Sequence, residues 1–337
     1  MLLPQQSHLA RWGIILISLF TLSITFTSSM TFGQYPISFG QVMTAFWKYD
    51  PTSIEHVILT TTRLSRSLVA IAVGAALAVA GVLMQTLTRN PLASPAIFGV
   101  NAGAIFFIVL FSQFVVIDSM NLFFWSAFFG AAVAGGLVYG LGNMGRDGVS
   151  PVRIVLAGAA ISALFISFTQ GILVLGQEGL DSVLFWVAGS VSGRELDVVL
   201  PVLPYLCGAI AGAMLLAPHI NILLSGDDIA TGLGQNTLVL KIALSVLIIG
   251  LAGASVALAG NIGFIGLIVP HMARAMVGND HRWLIPISAL WGAALLLLAD
   301  VLGRSLLDPE EIPIGVMTAL LGAPFFVYLA RRGSRYE

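Results

Sequence analysis

Residues 63 to 104 read RLSRSLVAIAVGAALAVAGVLMQTLTRNPLASPAIFGVNAGA, and this stretch decides the fold class. Arg63 and Arg66 stand one helical turn apart at its start, and Arg89-Asn90-Pro91 interrupts it. The 22 residues between Arg66 and Arg89 carry no formal charge. At about 1.5 Å per residue, a helix of this length can cross a hydrocarbon core of roughly 30 Å. The stretch therefore predicts a membrane span with two arginines at one end. At its other end Arg89-Asn90-Pro91 is predicted to break the helix, and we call this segment the elbow.

The composition extends this prediction to the whole chain. Only 9% of the residues are charged, 58% are hydrophobic, and the mean hydropathy is +0.97, whereas soluble domains carry about 25% charged residues. The net charge of -1 gives no strong overall field, so nucleic acid is not an expected partner. The single cysteine, Cys207, cannot form an internal disulfide. The chain is predicted to be an all-α integral membrane protein surrounded by the lipid bilayer.

Charge-free runs locate about ten transmembrane helices. The run over residues 242–273 is too long for one helix and is interrupted by Gly260-Asn261-Ile262-Gly263, which divides it into one full span and one short span. No linker divides the chain, so a single transmembrane domain over residues 1–337 is expected. The predicted spans are about 12–30, 64–86, 96–115, 121–142, 152–175, 197–217, 237–258, 262–277, 284–302 and 313–331.

Lysine and arginine positions predict the orientation. An even number of spans places both termini on one side of the membrane. Taking that side as cytoplasmic puts ten of the 15 basic residues inside and five outside, in agreement with the excess of basic residues in cytoplasmic loops. Arg63, Arg66 and Arg304 then lie outside, and the Asn90-Pro91 elbow lies inside.

Two segments of small residues resemble one another. Residues 74–81 read GAALAVAG and residues 253–260 read GASVALAG, and a proline-containing elbow follows each. By the span count the two copies run in opposite directions, as in a weak inverted repeat. The alternative is that small residues simply recur in packed membrane helices. The sequence leaves both interpretations open.

Motifs for catalysis and metal binding are absent from the sequence. The five histidines are scattered without an HExxH motif, and neither a Gly-x-Ser-x-Gly nor a Gly-Lys-Ser/Thr phosphate loop occurs. An ion-coupled carrier usually holds a carboxylate near the membrane midplane, but Asp300 lies at the outer end of span nine and is interpreted as an interfacial residue near Arg304. No catalytic residue, metal ligand or cofactor site is predicted. A transporter of this kind would take its energy from a partner.

Ordered blocks along the chain resemble the permease subunits of bacterial ABC importers for ferric siderophores, haem and cobalamin, the FecCD or BtuC-like permeases. The resemblance covers residue 12 to the C-terminus and implies the ten-helix permease fold of type II ABC importers. It is specific for the family and only weakly specific for the cargo. The blocks are RLSR (63–66), GVLMQ (81–85), RNPLASP (89–95), GVNAGA (99–104), GFIGLIVPH (263–271), DHR (280–282), LAD (298–300), IPIGV (312–316) and LGAPFF (321–326).

The resemblance implies partners on both sides of a bacterial cytoplasmic (inner) membrane, with both termini of this chain in the cytoplasm. A periplasmic or lipoprotein substrate-binding protein would dock outside, and a dimer of ABC ATPases would bind ATP and Mg²⁺ inside. The permease would work as a dimer, either with a second copy of itself or with a related permease. The chain itself would bind no cofactor and would not be an enzyme.

Arg63, Arg66 and Arg304 match the family arginines that receive a glutamate from each lobe of the binding protein. A guanidinium group suits this role because it can hold a carboxylate through two parallel hydrogen bonds. The alternative is that these arginines anchor helix ends at the lipid headgroups.

The longest polar segment inside, residues 217–237, matches the coupling helix that contacts the ATPase. Ser225 or Asp227 is expected to cap a short helix there, and Gly234 to end it. A plain connector is the alternative, although it would be shorter. The expected coupling residues are Gly226, Asp227, Asp228, Ala230, Leu233 and Gly234.

The family's cytoplasmic gate corresponds to Asn90 and Leu92 in the elbow and to Pro151 and Val152 at the start of span five. Some relatives carry small hydroxylic residues where this chain has Pro151-Val152, and an apolar constriction here would close by dewetting. Spans five and ten are expected to line the pathway at the dimer axis.

The function predicted from these features is that of the permease subunit of an ABC importer for a ferric siderophore. A cobalamin or haem importer has the same architecture and remains an alternative. A secondary, ion-coupled carrier is a further alternative, and a membrane enzyme is the remaining one.

Overall fold

The computed structural model describes residues 8–113, 120–144, 151–175, 188–194, 196–307 and 310–333. Helices and the short turns between them make up these ranges, and none of the residues in them forms a strand. The helices are α1 His8–Thr31, α2 Phe39–Trp47, α3 Ile54–Val57, a π-helical segment Ile58–Arg63, α4 Leu64–Thr88, a 3-10 turn Pro95–Phe98, α5 Val100–Ser112, α6 Met120–Asn143, α7 Pro151–Leu175, α8 Leu196–Val199, α9 Leu203–Leu223, α10 Asp227–Gly232, α11 Thr237–Ala259, α12 Ile265–Val277, α13 His281–Ser305 and α14 Ile314–Gly333.

The ten predicted spans correspond to ten apolar helical segments in the described residues. Seven are long and apolar enough to cross a membrane, and three shorter apolar helices, α5, α12 and α14, bring the total to ten. The all-α membrane fold is therefore confirmed. The predicted span over 96–115 is shorter than expected, because Gly99 adopts a φ of 69° and separates the 3-10 turn from α5. The short span over 262–277 begins only at Ile265.

Helix α4 forms the centre of the bundle. It is the last part of a continuous helical segment, Ile54–Thr88. In the most apolar 18 residues of this segment, 89% of the residues are buried, whereas in those of α1 only 11% are. Small residues let the neighbouring helices approach the α4 backbone closely, as is usual in membrane bundles. A Cβ atom at Gly74 would overlap the carbonyl oxygen of Gly292 in α13, and one at Gly81 would overlap the carbonyl oxygen of Gly266 in α12.

The predicted elbow is where α4 ends. Arg89 adopts the left-handed conformation, with a φ of 50° and a ψ of 30°, directly after Thr88. Pro91 follows two positions later, and proline commonly follows such helix ends because it cannot continue the helix. Arg89 and Phe264 are the two non-glycine residues with positive φ among the described residues. The elbow predicted from Arg89-Asn90-Pro91 is therefore confirmed as the end of α4.

A small second core holds the segment between α1 and α4 against the bundle. It consists of Met30, Ile37, Val42, Ala45 and Leu59, all buried. Ser38 caps α2 and forms a capping box with Gln41, an arrangement that satisfies two unpaired backbone N–H groups of a helix start. This packing fixes the loop between α1 and α2 over the start of α4.

The two similar segments of small residues, 74–81 and 253–260, lie in α4 and at the end of α11, and both helices belong to the central bundle. The inverted repeat that they suggest stays a prediction, as does the single domain over residues 1–337.

Candidate functional site

The three arginines predicted to dock a binding protein lie together. Arg63 ends the π-helical segment, Arg66 lies in the first turn of α4, and Arg304 lies in the last turn of α13. All three are buried, with exposures of 4%, 7% and 5% respectively. The loop after α1 covers Arg63 and Arg304: a Cβ atom on Gly33 would lie 3.2 Å from Nη2 of Arg63 and 3.3 Å from Nη1 of Arg304. The residues thus form one buried group instead of separate surface anchors.

Arg63 is held by backbone carbonyl groups. Its Nη1 donates to the carbonyl oxygen of Met30 at 2.5 Å, and its Nη2 donates to that of Tyr35. No acidic side chain pairs with Arg63 within the described residues. Its charge is therefore not balanced by a carboxylate of the described residues.

Arg66 binds two carboxylates of this chain. Its Nε donates to Oδ1 of Asp300 and its Nη1 to Oε2 of Glu311, each at 2.7 Å. Nη1 also lies 3.4 Å from Oγ of Ser192. Oδ2 of Asp300 forms an ion pair with Nη2 of Arg304 at 3.1 Å, although the angle does not qualify as a hydrogen bond. We call Arg63, Arg66, Arg304, Asp300 and Glu311 the arginine cluster.

Asp300 has a different environment from the one that the sequence suggested. We interpreted it as an interfacial residue near Arg304. It does pair with Arg304 four residues later, but its side chain is 0% exposed and lies between two arginines. A buried carboxylate needs such partners, because an unpaired charge away from water is costly. Arg66 and Arg304 supply these partners and so offset the cost of burying the Asp300 side chain.

Two residues of this region, Glu311 within the cluster and Arg194 beside it, were not identified from the sequence. Glu311 lies 245 positions from Arg66, and nothing local marks the pair. Arg194 is a fourth buried arginine, and its backbone carbonyl accepts a hydrogen bond from Oγ of Ser65 in α4. Burial lowers the pKa of Arg194 to about 10, so the guanidinium stays protonated at neutral pH.

The predicted coupling segment contains a short helix, α10, which begins at Asp227. The expectation that Ser225 or Asp227 caps it was wrong, because Gly226 occupies the cap position with a φ of 118° and no side chain accepts a hydrogen bond there. Gly234, with a φ of 81°, follows its end as expected. Ala230 is buried against the bundle. The residues Gly232, Asp228 and Thr231 are exposed.

Two apolar side chains of this segment face away from the bundle. Ile229 is 54% exposed and Leu233, one helical turn later, is 69% exposed. Leu233 is among the residues predicted to contact the ATPase, and Ile229 is not. Large apolar side chains exposed side by side on a polar segment are typical of a surface that a partner covers.

Ion pairs join α10 to the elbow at the end of α4. Oδ1 of Asp227 accepts from Nη2 of Arg89 at 2.9 Å, and Oδ2 of Asp227 accepts from Nζ of Lys241 at 2.8 Å. Arg89 is the residue in the left-handed conformation at the end of α4. The coupling segment is thereby connected to the elbow that carries the predicted gate residues.

The predicted gate residues lie on neighbouring elements. The side chain of Asn90 turns the elbow by accepting a hydrogen bond from the backbone N–H of Leu92 at 2.9 Å. Leu92 is 40% exposed and Val152 is 66% exposed. Pro151 begins α7, and the position of its side chain is outside the described residues. A Cβ atom on Gly158 of α7 would overlap the carbonyl oxygen of Ile97, so α7 packs directly against the segment after the elbow.

The comparisons with known proteins identify the family. The FecCD transport family matches residues 21–332. The chain belongs to the FecCD transport family. YfiZ of Bacillus subtilis (strain 168), named as a probable siderophore transport system permease protein, is 48% identical over 97% of this chain and 98% of its own length. YfmD of the same organism, an Fe(3+)-citrate import system permease protein, is 45% identical over 83% of each chain.

A solved structure has the same architecture as this FecCD chain. It is described as an inward-facing conformation of a metal-chelate type ABC transporter and is 31% identical, with a TM-score of 0.84 over 95% of this chain and 99% of that one. The FecCD family and the apolar helices together make this protein a multi-pass membrane transport subunit of the ABC permease type. Among the residues that the structure describes, no group of three or more His, Cys, Asp or Glu side chains could hold a metal ion.

Proposed function

We propose that this chain is the permease subunit of an ABC importer that carries a ferric siderophore across the bacterial cytoplasmic membrane. Two ATPase subunits would bind α10 in the cytoplasm, and a substrate-binding protein would dock at the arginine cluster outside. Both termini would be cytoplasmic. The observation that carries the proposal is the full-length similarity to YfiZ, at 48% identity over 97% of the chain.

The arginine cluster supports the docking role through its charge. Three arginines face two carboxylates, which leaves one net positive charge in a region with little access to water. An acidic residue of a binding protein would complete the balance. Hydrogen bonds to charged groups contribute about 1.5–3 kcal/mol each, so one such contact would add substantially to affinity. Arg63 is the best candidate for it, since only backbone carbonyls hold it.

The ion pairs of Asp227 support the coupling role. Movement of α10, driven by the ATPase, would pull directly on Arg89 and so on the elbow that carries Asn90 and Leu92. The gate formed by Asn90, Leu92, Pro151 and Val152 stays a proposal.

The pathway is proposed to run between two permease chains along α7 and α14. After Arg153, α7 carries no charged residue, and α14 carries none before Arg331. Of the most apolar 18 residues of α7, only 28% are buried within the chain. The rest of α7 offers a large surface to a second permease, either identical or related. A lining without fixed charge suits a bulky chelate that must not be held tightly.

Uptake by the complete complex tests the cargo. In proteoliposomes that contain the permease, its ATPase and its binding protein, we expect ATP-driven uptake of radiolabelled iron presented as a ferric hydroxamate or ferric citrate. Labelled cobalamin and haem are the competing cargoes. Uptake of either without uptake of the iron chelates would contradict the siderophore assignment and leave the permease assignment in place.

Replacing Asp227 with asparagine tests the link between α10 and the elbow. Both ion pairs are lost, but each lies at a partly exposed position and is worth only about 0.2–1 kcal/mol. The subunit should therefore stay folded. We expect transport to fall about two- to fivefold while ATP hydrolysis continues, as measured by cargo imported per ATP consumed.

The matched control for this change is Asp50→Asn, in the connection between α2 and α3 at the other end of the bundle. It removes the same carboxylate from an exposed position. If both variants import the same amount of cargo per ATP as the unmodified complex, the link between α10 and the elbow has no role in coupling.

A further inference from the structure

The two carboxylates that bind Arg66 differ in their access to water. Asp300 is 0% exposed, lies within α13 and is also paired with Arg304. Glu311 is 32% exposed and lies in the short non-helical segment before α14. Both lie at 2.7 Å from Arg66. Asp300 is a fixed part of the cluster, whereas Glu311 can leave without unfolding a helix.

A cavity lies beside the Arg66–Glu311 pair. Its volume is about 100 Å³, and both members of the pair line it together with Ser190, Ser192 and Pro313. One water needs about 10–15 Å³ by this measure of volume, so the cavity has room for water or for a carboxylate group. A second carboxylate can therefore approach Arg66 from the side on which Glu311 is bound.

We propose that Glu311 is the resting occupant of a carboxylate site at Arg66 and that an acidic side chain of the binding protein replaces it on docking. This inference rests on the proposed docking role of the arginine cluster. Glu311 is a positioning residue here: it keeps Arg66 paired and oriented until the partner arrives.

Charge conservation favours such an exchange. With Glu311 bound, the three arginines and two carboxylates of the cluster leave one net positive charge. Replacing Glu311 with another carboxylate preserves this balance. A carboxylate that binds Arg66 in place of Glu311 leaves the charge around Arg66 and Asp300 unchanged, and the contact proposed for Arg63 is separate from this exchange. Losing Glu311 without replacement would leave Arg66 with one charged partner instead of two.

The position of Glu311 connects the exchange to the proposed pathway. The next residue, Ile312, donates its backbone N–H to the carbonyl of Gly303 at 3.0 Å, and α14 begins at Ile314. Gly315 in its first turn donates to the carbonyl of Gly189 at 3.4 Å. Release of Glu311 therefore removes one of the contacts that hold the segment before α14, while the backbone hydrogen bonds of Ile312 and Gly315 remain. Docking of the binding protein on the outer side would thus act on α14, a proposed pathway helix, through the short segment from Glu311 to Ile314.

The test compares Glu311→Gln with Glu310→Gln in the assembled permease–ATPase complex. Both variants remove one negative charge from the same segment, and Glu310 is exposed. Because a competitor has been removed, Glu311→Gln should bind the loaded binding protein about three- to tenfold more tightly than Glu310→Gln does. Equal affinities, or a weaker one for Glu311→Gln, would overturn the proposal.

A second variant, Glu311→Asp, separates occupancy from overall charge. It keeps the charge but shortens the side chain by one methylene, so that the carboxylate no longer reaches Arg66. Tighter binding than the unmodified complex supports occupancy, and unchanged binding contradicts it. Arg63→Gln shows which proposal has failed. If Arg63→Gln weakens docking while the Glu311 variants have no effect, the docking role of the cluster stands and only the exchange at Arg66 is contradicted.

Discussion

Replacing Arg63 with glutamine is expected to weaken binding of the loaded binding protein to the permease–ATPase complex by about ten- to hundredfold. The loss corresponds to one charge-assisted hydrogen bond at about 1.5–3 kcal/mol, with about 1.4 kcal/mol for each factor of ten. Arg63 suits this test better than Arg66, because Arg66→Gln would leave Asp300 buried with one arginine instead of two. Glutamine can still donate to the carbonyl of Met30 or Tyr35. Affinity measured by surface plasmon resonance on complexes in nanodiscs reports the result.

The matched control is Arg11→Gln at the other end of the bundle. Arg11 forms an ion pair with Asp280 at 3.5 Å and is also partly buried, so the control removes the same charge far from the arginine cluster. It should leave the affinity unchanged. If Arg63→Gln binds the partner as tightly as the Arg11 variant does, the arginine cluster is not the docking site.

Replacing Gly81 with alanine is expected to have the largest effect on stability. Gly81 lies in the C-terminal half of α4, and a Cβ atom there would overlap the backbone carbonyl of Gly266 in α12. Backbone atoms cannot rotate away as a side chain can, so the two helices would have to separate. Overpacking of a buried contact costs about 1–3 kcal/mol or more. We expect a clear fall in the midpoint of thermal unfolding, measured in detergent.

Gly136→Ala provides the control for Gly81→Ala. Gly136 lies in α6, and a Cβ atom there meets nothing within 4 Å. The same substitution should be neutral or slightly stabilising there, because alanine favours a helix over glycine by about 0.5–1 kcal/mol. Equal unfolding midpoints for the two variants would show that α4 and α12 are not packed as described.

Most of the fold follows from the sequence because charges are so scarce in it. Each interruption of a charge-free run marks a boundary, and Arg89-Asn90-Pro91 marks the end of α4 almost to the residue. The internal breaks were harder to find. The left-handed conformation at Gly99 and the π-helical segment that ends at Arg63 lie inside continuous apolar or uncharged sequence, where hydropathy gives no signal.

The candidate site was only partly predictable for the same reason. Arg63 and Arg66 were grouped because they are close in sequence, and Asp300 was placed beside Arg304 because one helical turn separates them. The pairs Arg66–Glu311 and Arg89–Asp227 join residues that are far apart in the chain. Such contacts depend on how the helices pack, and no local pattern encodes them. The burial of Asp300 and the three arginines likewise appears only in three dimensions.

The central claim is that this chain forms the path of an importer driven by a separate ATPase. The most direct test measures uptake of a radiolabelled ferric siderophore into proteoliposomes, using the complete complex with either an active ATPase or one inactivated at its catalytic glutamate. We predict rapid uptake with the active ATPase and the loaded binding protein, and none above background with the inactive ATPase. Sustained uptake with the inactive ATPase, driven by a proton or sodium gradient, would contradict the account.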